Sequence, residues 1–204
     1  MLNDTLLLDS AGPLGKTPNS GYAGPEHCSE GVPLSWYVLR VSYSRELKVQ
    51  EKLHESGVES FIPMMWRSVN VAGRLEKRLL PAVNNLCFAK WTRQGIEDFI
   101  KGYGESSPVH FYWDRTSACP MTIPEKSMED FIKVASSLDE DLIYLTEIYG
   151  KLREGQMVKV KDGPLKGVTG RVVRIRKSRR IMVELPGMLA VASTYVPSEM
   201  LEII

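Results

Sequence analysis

Through Met1–Pro33 the apolar residues follow no sustained period, and Gly, Pro, Ser and Asn crowd the chain; this predicts a disordered leader over residues 1–33. Order begins at Leu34. Trp36–Tyr43 (WYVLRVSY) is β-branched or aromatic on both faces, the pattern of a central strand. Ser44 then predicts a helix cap, and the helix that follows sets Leu47 and Leu53 opposite its charged side and stops at Gly57. Val58–Met65 reads as a strand, and Trp66–Val71 and Arg74–Leu80 as two more around Ala72-Gly73. Asn85–Lys90 is a further strand, and Thr92 opens a short helix whose apolar side is Ile96, Phe99 and Ile100. Val109–Trp113 is an aromatic-rich strand. Pro124 suits a helix start, with Met128, Phe131, Ile132, Ala135 and Leu138 recurring at helical spacing.

Past residue 153 the period falls to two. Val158 and Val160 alternate with lysines, Val173 and Ile175 with arginines, and Ile181, Val183 and Leu185 with Met182 and Glu184. Between the first two runs lies a loop with Gly163, Gly167 and Gly170, whose spacing admits positive φ twice and leaves room for close packing. The expected fold class is therefore α+β: a mainly antiparallel sheet flanked by helices over 34–138, a connector over 139–153, and a small SH3-like β-barrel over 154–204.

Composition narrows the chemistry. The 204 residues carry a formal net charge of only +1, so contact with nucleic acid has to come from a local patch. No apolar run approaches the roughly twenty residues of a membrane span. Leu6–Leu8 has no basic flank and is too short for a signal peptide. Cys28, Cys87 and Cys119 lack ligand spacing, and reduced thiols in a cytoplasmic protein are the expectation. His27, His54 and His110 lie apart, no nucleophile elbow, zinc-helix or phosphate-loop motif occurs, and the acidic run Asp139–Leu142 reads as a solvated turn. The chain reads as a binding protein with no cofactor, no metal and no enzymatic activity.

Two resemblances sharpen this. KVKDGPLKGVTGRVV, Lys159–Val173, resembles a KOW motif, and the likeness spans Leu152–Ile204. WYVLRVSYSRELKVQEKLHESGVESFIP resembles the opening of the NGN domain of NusG-type elongation factors, with Phe61-Ile62-Pro63 at the family's Phe-x-Pro element. NGN followed by KOW is the NusG architecture. PMTIPEKSMEDFIKVASSLDEDLIY and LAVASTYVPSEMLE resemble the UpxY branch, paralogs tied to capsular polysaccharide operons. One segment departs from the family. Where many members carry Phe-Pro-Gly-Tyr-Val-Phe-Val, this chain has LPAVNNLCFA from Leu80 to Ala89, with Leu86 in place of the tyrosine.

The resemblance implies a monomeric, cytoplasmic antitermination and processivity factor. Its NGN half would bind the clamp helices of the largest RNA polymerase subunit. Leu86 and Phe88 alternate on one strand and so share a face, which Phe61 extends; such an apolar patch serves either as an interface or as plain core. Trp91 and Thr92, with Arg93, would reach the opposite jaw. Arg45, Lys48 and Lys52 form a basic stripe that in the specialised paralogs faces non-template DNA in the transcription bubble; the plain alternative is a solvated helix face. Arg174, Arg176, Lys177, Arg179 and Arg180 concentrate charge on one hairpin of the KOW half, toward a ribosomal protein, Rho or nascent RNA. The competing function is a ribosome-associated or RNA-binding KOW protein of translation. Ribosomal KOW proteins lack the NGN-like half and are usually strongly basic, which favours the first reading.

Overall fold

The structure is a computed structural model that describes residues 34–114, 116–145, 155–175 and 178–204; the predicted leader lies outside them. The first part contains β1 (Ser35–Val41), α1 (Glu46–Glu55), β2 (Glu59–Phe61), β3 (Met64–Val71), β4 (Arg74–Pro81), β5 (Leu86–Trp91) and α2 (Arg93–Lys101). It continues through β6 (Val109–Phe111), β7 (Trp113–Asp114), β8 (Cys119–Pro120), β9 (Thr122–Ile123) and α3 (Glu125–Ala135). The second comprises β10 (Ile143–Leu145), β11 (Met157–Val160), β12 (Thr169–Ile175), β13 (Ser178–Leu185), β14 (Leu189–Tyr195) and β15 (Leu201–Ile203). The mixed α+β class is as the sequence predicts.

β1 is the central strand. It pairs antiparallel with β5 and, along its opposite edge, with β6 and β9; β2 adds to the far side of β5. Alternation sends Trp36, Val38, Leu86 and Phe88 to one face and Tyr37, Leu39, Cys87 and Ala89 to the other. A sheet apolar on both faces needs a cover on each. α1 and α2 supply one through Val49, Leu53 and Ile96, and α3 supplies the other through Met128, Phe131, Val134 and Ala135.

The C-terminal half is a six-stranded antiparallel sheet in the order β10-β14-β13-β12-β11-β15. Its apolar face, with Val158, Ile181, Val183, Leu185 and Val191, joins the same core as the α3 face of the first sheet. α3 packs on β1 and also on β13 and β14, so one helix is shared by both sheets. The glycine loop meets both demands read from its spacing. Gly163 and Gly167 have φ of +83° and +88°, while a Cβ on Gly170 would lie 2.6 Å from the Met182 carbonyl oxygen.

Several boundaries differ from the sequence reading, each for a local reason. The first helix is capped at Arg45 without a side-chain bond, because Ser44 takes φ 51° and points the chain elsewhere. Val49 and Leu53 form its buried side, whereas Leu47 is half exposed. Pro63 interrupts the strand expected over Val58–Met65, giving separate β2 and β3. Pro124 is the N-cap of α3 rather than its first residue, and Leu138 sits beyond the helix at φ 49°. Ile143–Leu145, assigned to the connector, pairs with β14 as an edge strand, while residues 146–154 lie outside the described residues. Cys119 is disulfide-bonded, against the expectation of three reduced thiols; Cys87 is free and buried.

Two buried groups set an alkaline limit. Burial, helped by the Glu46 carboxylate, pushes the Cys87 thiol up to about 12. Burial likewise pushes the Tyr144 phenol up to about 12 from the usual 10.0. Both groups are neutral in the folded chain where the unfolded chain ionises, so their contribution is intact below pH about 9 and is lost as pH rises toward 12. Urea midpoints measured from pH 8 to 11.5 should fall steadily above pH 9, and Cys87→Ala with Tyr144→Phe should flatten that fall.

Candidate binding surfaces

Four rings meet at α3. Phe131 lies edge-on to Phe61, Phe88 and Tyr144, with centroids 6.2, 6.0 and 6.5 Å away. Leu86 and Phe88 do share a face, but it is covered: they are 3% and 0% exposed. Phe61 is half-buried beside them. Of the two readings open for these residues, interface or plain core, Leu86 and Phe88 take the second in this arrangement, with Phe61 at its edge. The physical reason is that α3 and the C-terminal sheet offer a larger apolar surface than water can compete with. Leu86 also lines a groove with Val83, Met188 and Leu189, so the β13–β14 turn stands directly over this edge of the first sheet.

Polar contacts hold the two halves in register. Asp130, buried on α3, accepts from the Lys126 ammonium at 2.7 Å and from the backbone N–H of Thr169 at 3.2 Å. Lys133 donates to the Lys166 carbonyl at 2.6 Å, and Lys126 to that of Gly167 at 3.3 Å. The glycine loop is therefore moored to α3. The Tyr144 hydroxyl donates to the Met64 carbonyl at 3.2 Å, a second tie between the halves.

The basic stripe is open to solvent. Glu46 anchors α1 by accepting the Asn85 N–H at 2.6 Å, which turns Arg45, Lys48 and Lys52 outward. Sequence reasoning missed two rings beside them. The Arg45 guanidinium lies 5.5 Å from the Tyr43 ring centre, and the Lys52 ammonium 4.5 Å from that of Tyr103. Tyr43 is 80% exposed and held at φ 64°. A left-handed tyrosine leaves no signal in sequence, and Tyr103 is distant along the chain. At the other end of β5, Trp91 is half-buried against Phe99, with centroids 6.5 Å apart. Thr92 caps α2 by accepting the Gly95 N–H at 3.1 Å, and Arg93 pairs with Glu97 at 2.9 Å.

The predicted KOW patch divides. Arg174 is exposed and opposes Arg179 across β12 and β13, while Arg179 donates to the Ser198 hydroxyl. Arg180 is buried, donating to the carbonyls of Asp141 at 2.6 Å and Ser193 at 2.9 Å, so it braces the sheet instead of facing a partner. Arg176 and Lys177 lie outside the described residues. Among the described residues no cluster of metal-ligating side chains occurs, and no helix is long and apolar enough to cross a membrane.

These features define an α+β domain that shares one helix with a C-terminal antiparallel sheet and carries basic elements on its outer surface. Residues 34–132 match the family model described as transcription termination factor NusG. A solved structure concerned with domain interaction in Thermotoga maritima NusG is 19% identical, covering 84% of this chain and 97% of that one at a TM-score of 0.42. Conformation B of the MjSpt4:Spt5 complex is 16% identical, covering 83% and 96%, at a TM-score of 0.27. Both likenesses are too low to bear on function. No curated protein matches the chain.

Losing the Asp130 acceptor leaves the Thr169 amide short of its partner at the join. Asp130→Ala should destabilise by about 1–3 kcal/mol, and Phe131→Ala by about 3–5 kcal/mol, each read from urea unfolding. Asp130→Ala should also raise amide hydrogen exchange at Thr169 more than in the distant β1–β6 pair.

Proposed function

We propose that this protein is a transcription elongation and antitermination factor that acts by binding RNA polymerase. The observation that carries the reading is the match of residues 34–132 to the NusG family model, followed by a C-terminal sheet built around the Gly163–Gly167–Gly170 loop. The resemblance of the α3 region and the LAVASTYVPSEMLE segment to the UpxY branch supports the finer assignment, a cytoplasmic factor dedicated to a surface polysaccharide operon.

The clamp helices of the largest polymerase subunit are the proposed partner of the first sheet. Phe61 and Trp91, both half-buried, and Thr92 stand at the rim of that surface, whereas Leu86 and Phe88 lie beneath α3 and the C-terminal sheet. Full engagement therefore calls for the C-terminal sheet to give way, an exchange of one apolar partner for another. Binding the closed clamp more tightly than the open one would then shift the polymerase toward its processive state, in proportion to the difference in affinity. The α1 stripe of Arg45, Lys48 and Lys52 takes the non-template strand, with the cations on phosphates and the exposed Tyr43 ring available to an unstacked base. Arg174 and Arg179 remain for a ribosomal protein, Rho or nascent RNA. No step of this work calls for catalysis, a metal or a cofactor.

Elongation by the cognate polymerase on a long leader template tests the reading. Adding the protein should raise read-through past pauses and terminators, and Asp130→Ala, which loosens the join, should bind polymerase more tightly than the unmodified chain. Arg45→Ala with Lys48→Ala should weaken recruitment at the leader and lower the salt slope of single-strand binding by about 1.4, at ~0.7 per phosphate contact. Absence of both read-through and polymerase binding would refute the proposal and turn attention to a ribosomal partner.

A further inference from the structure

The β3–β4 hairpin is unused by any of this, and its surface is unlike the rest of the chain. Among the described residues it pairs with no other strand, which leaves both its edges open there. Eight residues on each side make a ribbon roughly 26 Å long at 3.3 Å per residue. Its tip is a tight turn with Ala72 at φ 50° and Gly73 at φ 84°, and the Asn70 side chain accepts the Gly73 N–H at 2.9 Å. Over residues 64–81, Arg67, Arg74, Lys77 and Arg78 face one carboxylate, Glu76, a net of +3 where the whole chain carries +1.

The register separates these charges by face. Arg67 stands directly opposite Arg78, and Arg74 opposite Val71, so three arginines share one side. Lys77 and Trp66 are on the other, where Lys77 pairs with Glu140 at 2.6 Å and orients the ribbon. Like charges directly opposed across a strand pair cost stability. Arg78 is only partly compensated by Glu76 at 2.9 Å, Arg67 donates to the Ala82 carbonyl, and Arg74 has no hydrogen-bond or ion-pair partner among the described residues. An external anion would relieve this arrangement.

We propose that the arginine face of the β3–β4 hairpin grips the phosphate backbone of duplex DNA, the ribbon lying in or across the major groove. A two-stranded ribbon fits that groove, about 12 Å wide. The deep, narrow major groove of A-form RNA does not admit it. The arginine side carries aliphatic neighbours, Val69 and Val71, and no aromatic ring on which single-stranded bases would stack. The surface is separate from the α1 stripe and does not rest on the polymerase reading.

The test uses the full chain and a labelled 20-base-pair DNA duplex, with the matching DNA single strand and RNA duplex as comparisons, followed by anisotropy at several salt concentrations. Arg67→Ala, Arg74→Ala and Arg78→Ala together should weaken duplex binding at least tenfold and lower the salt slope by about 2.7, at ~0.9 per phosphate. The thermal midpoint should hold or rise, since the Arg67–Arg78 repulsion is gone; a merely structural hairpin would lose stability instead. Arg74→Glu alone, at the solvent-exposed tip, should weaken duplex binding without touching the fold, while Arg45→Ala with Lys48→Ala should leave it unchanged. Equal duplex affinity in the triple variant and in Arg74→Glu overturns the proposal. So does equally tight binding of the RNA duplex or of the single strand through the same arginines.

Discussion

Phe131 is the contact on which the rest of the molecule depends. Its ring touches Phe88 from the central region of the first sheet, Phe61 from the sheet edge and Tyr144 from the C-terminal sheet. Aromatic pairs in edge-on geometry add about 0.5–1.5 kcal/mol each beyond their area. One helical side chain thereby fixes the height of α3 above β1 and β5 and the seat of the second sheet on α3. That ring lies in the dry centre that the two halves share with Met128, Val134, Ile181 and Val183, beside the moorings of Asp130 and Lys133.

The same packing explains why the charged elements lie on the periphery. Burying both faces of the first sheet uses its apolar residues as core and leaves the charged elements outside. α1 turns its cations outward because Val49, Leu53 and the anchored Glu46 turn inward. Beyond Met64, which packs against the first core, the β3–β4 ribbon extends away from it, and its arginines face solvent. The face that bears Leu86 and Phe88 is the exception. It is apolar and therefore has to be covered by something, and here α3 and the C-terminal sheet do so.

Much of this was legible from pattern. Two-faced apolar character in WYVLRVSY marked β1 as central, period-two alternation marked the C-terminal strands, and the helical recurrence through Met128 and Phe131 marked α3. The paired glycines Gly163 and Gly167 and the capping Thr92 behaved as their chemistry requires. Boundaries failed where a single backbone angle decided them, at Ser44 and Leu138, since a left-handed residue other than glycine carries no compositional mark.

The sequence by itself determined which residues avoid water and in what rhythm, and hence the strands, the helices and the shared face of Leu86 and Phe88, because periodicity is a local property of the chain. Only the tertiary structure decided what lies against each face. That α3 serves two sheets, that Arg180 is a buried brace while Arg174 is open, and that Arg67 faces Arg78 follow from contacts between segments far apart in sequence. Such contacts depend on the summed fit of many side chains, and no single stretch of residues encodes them.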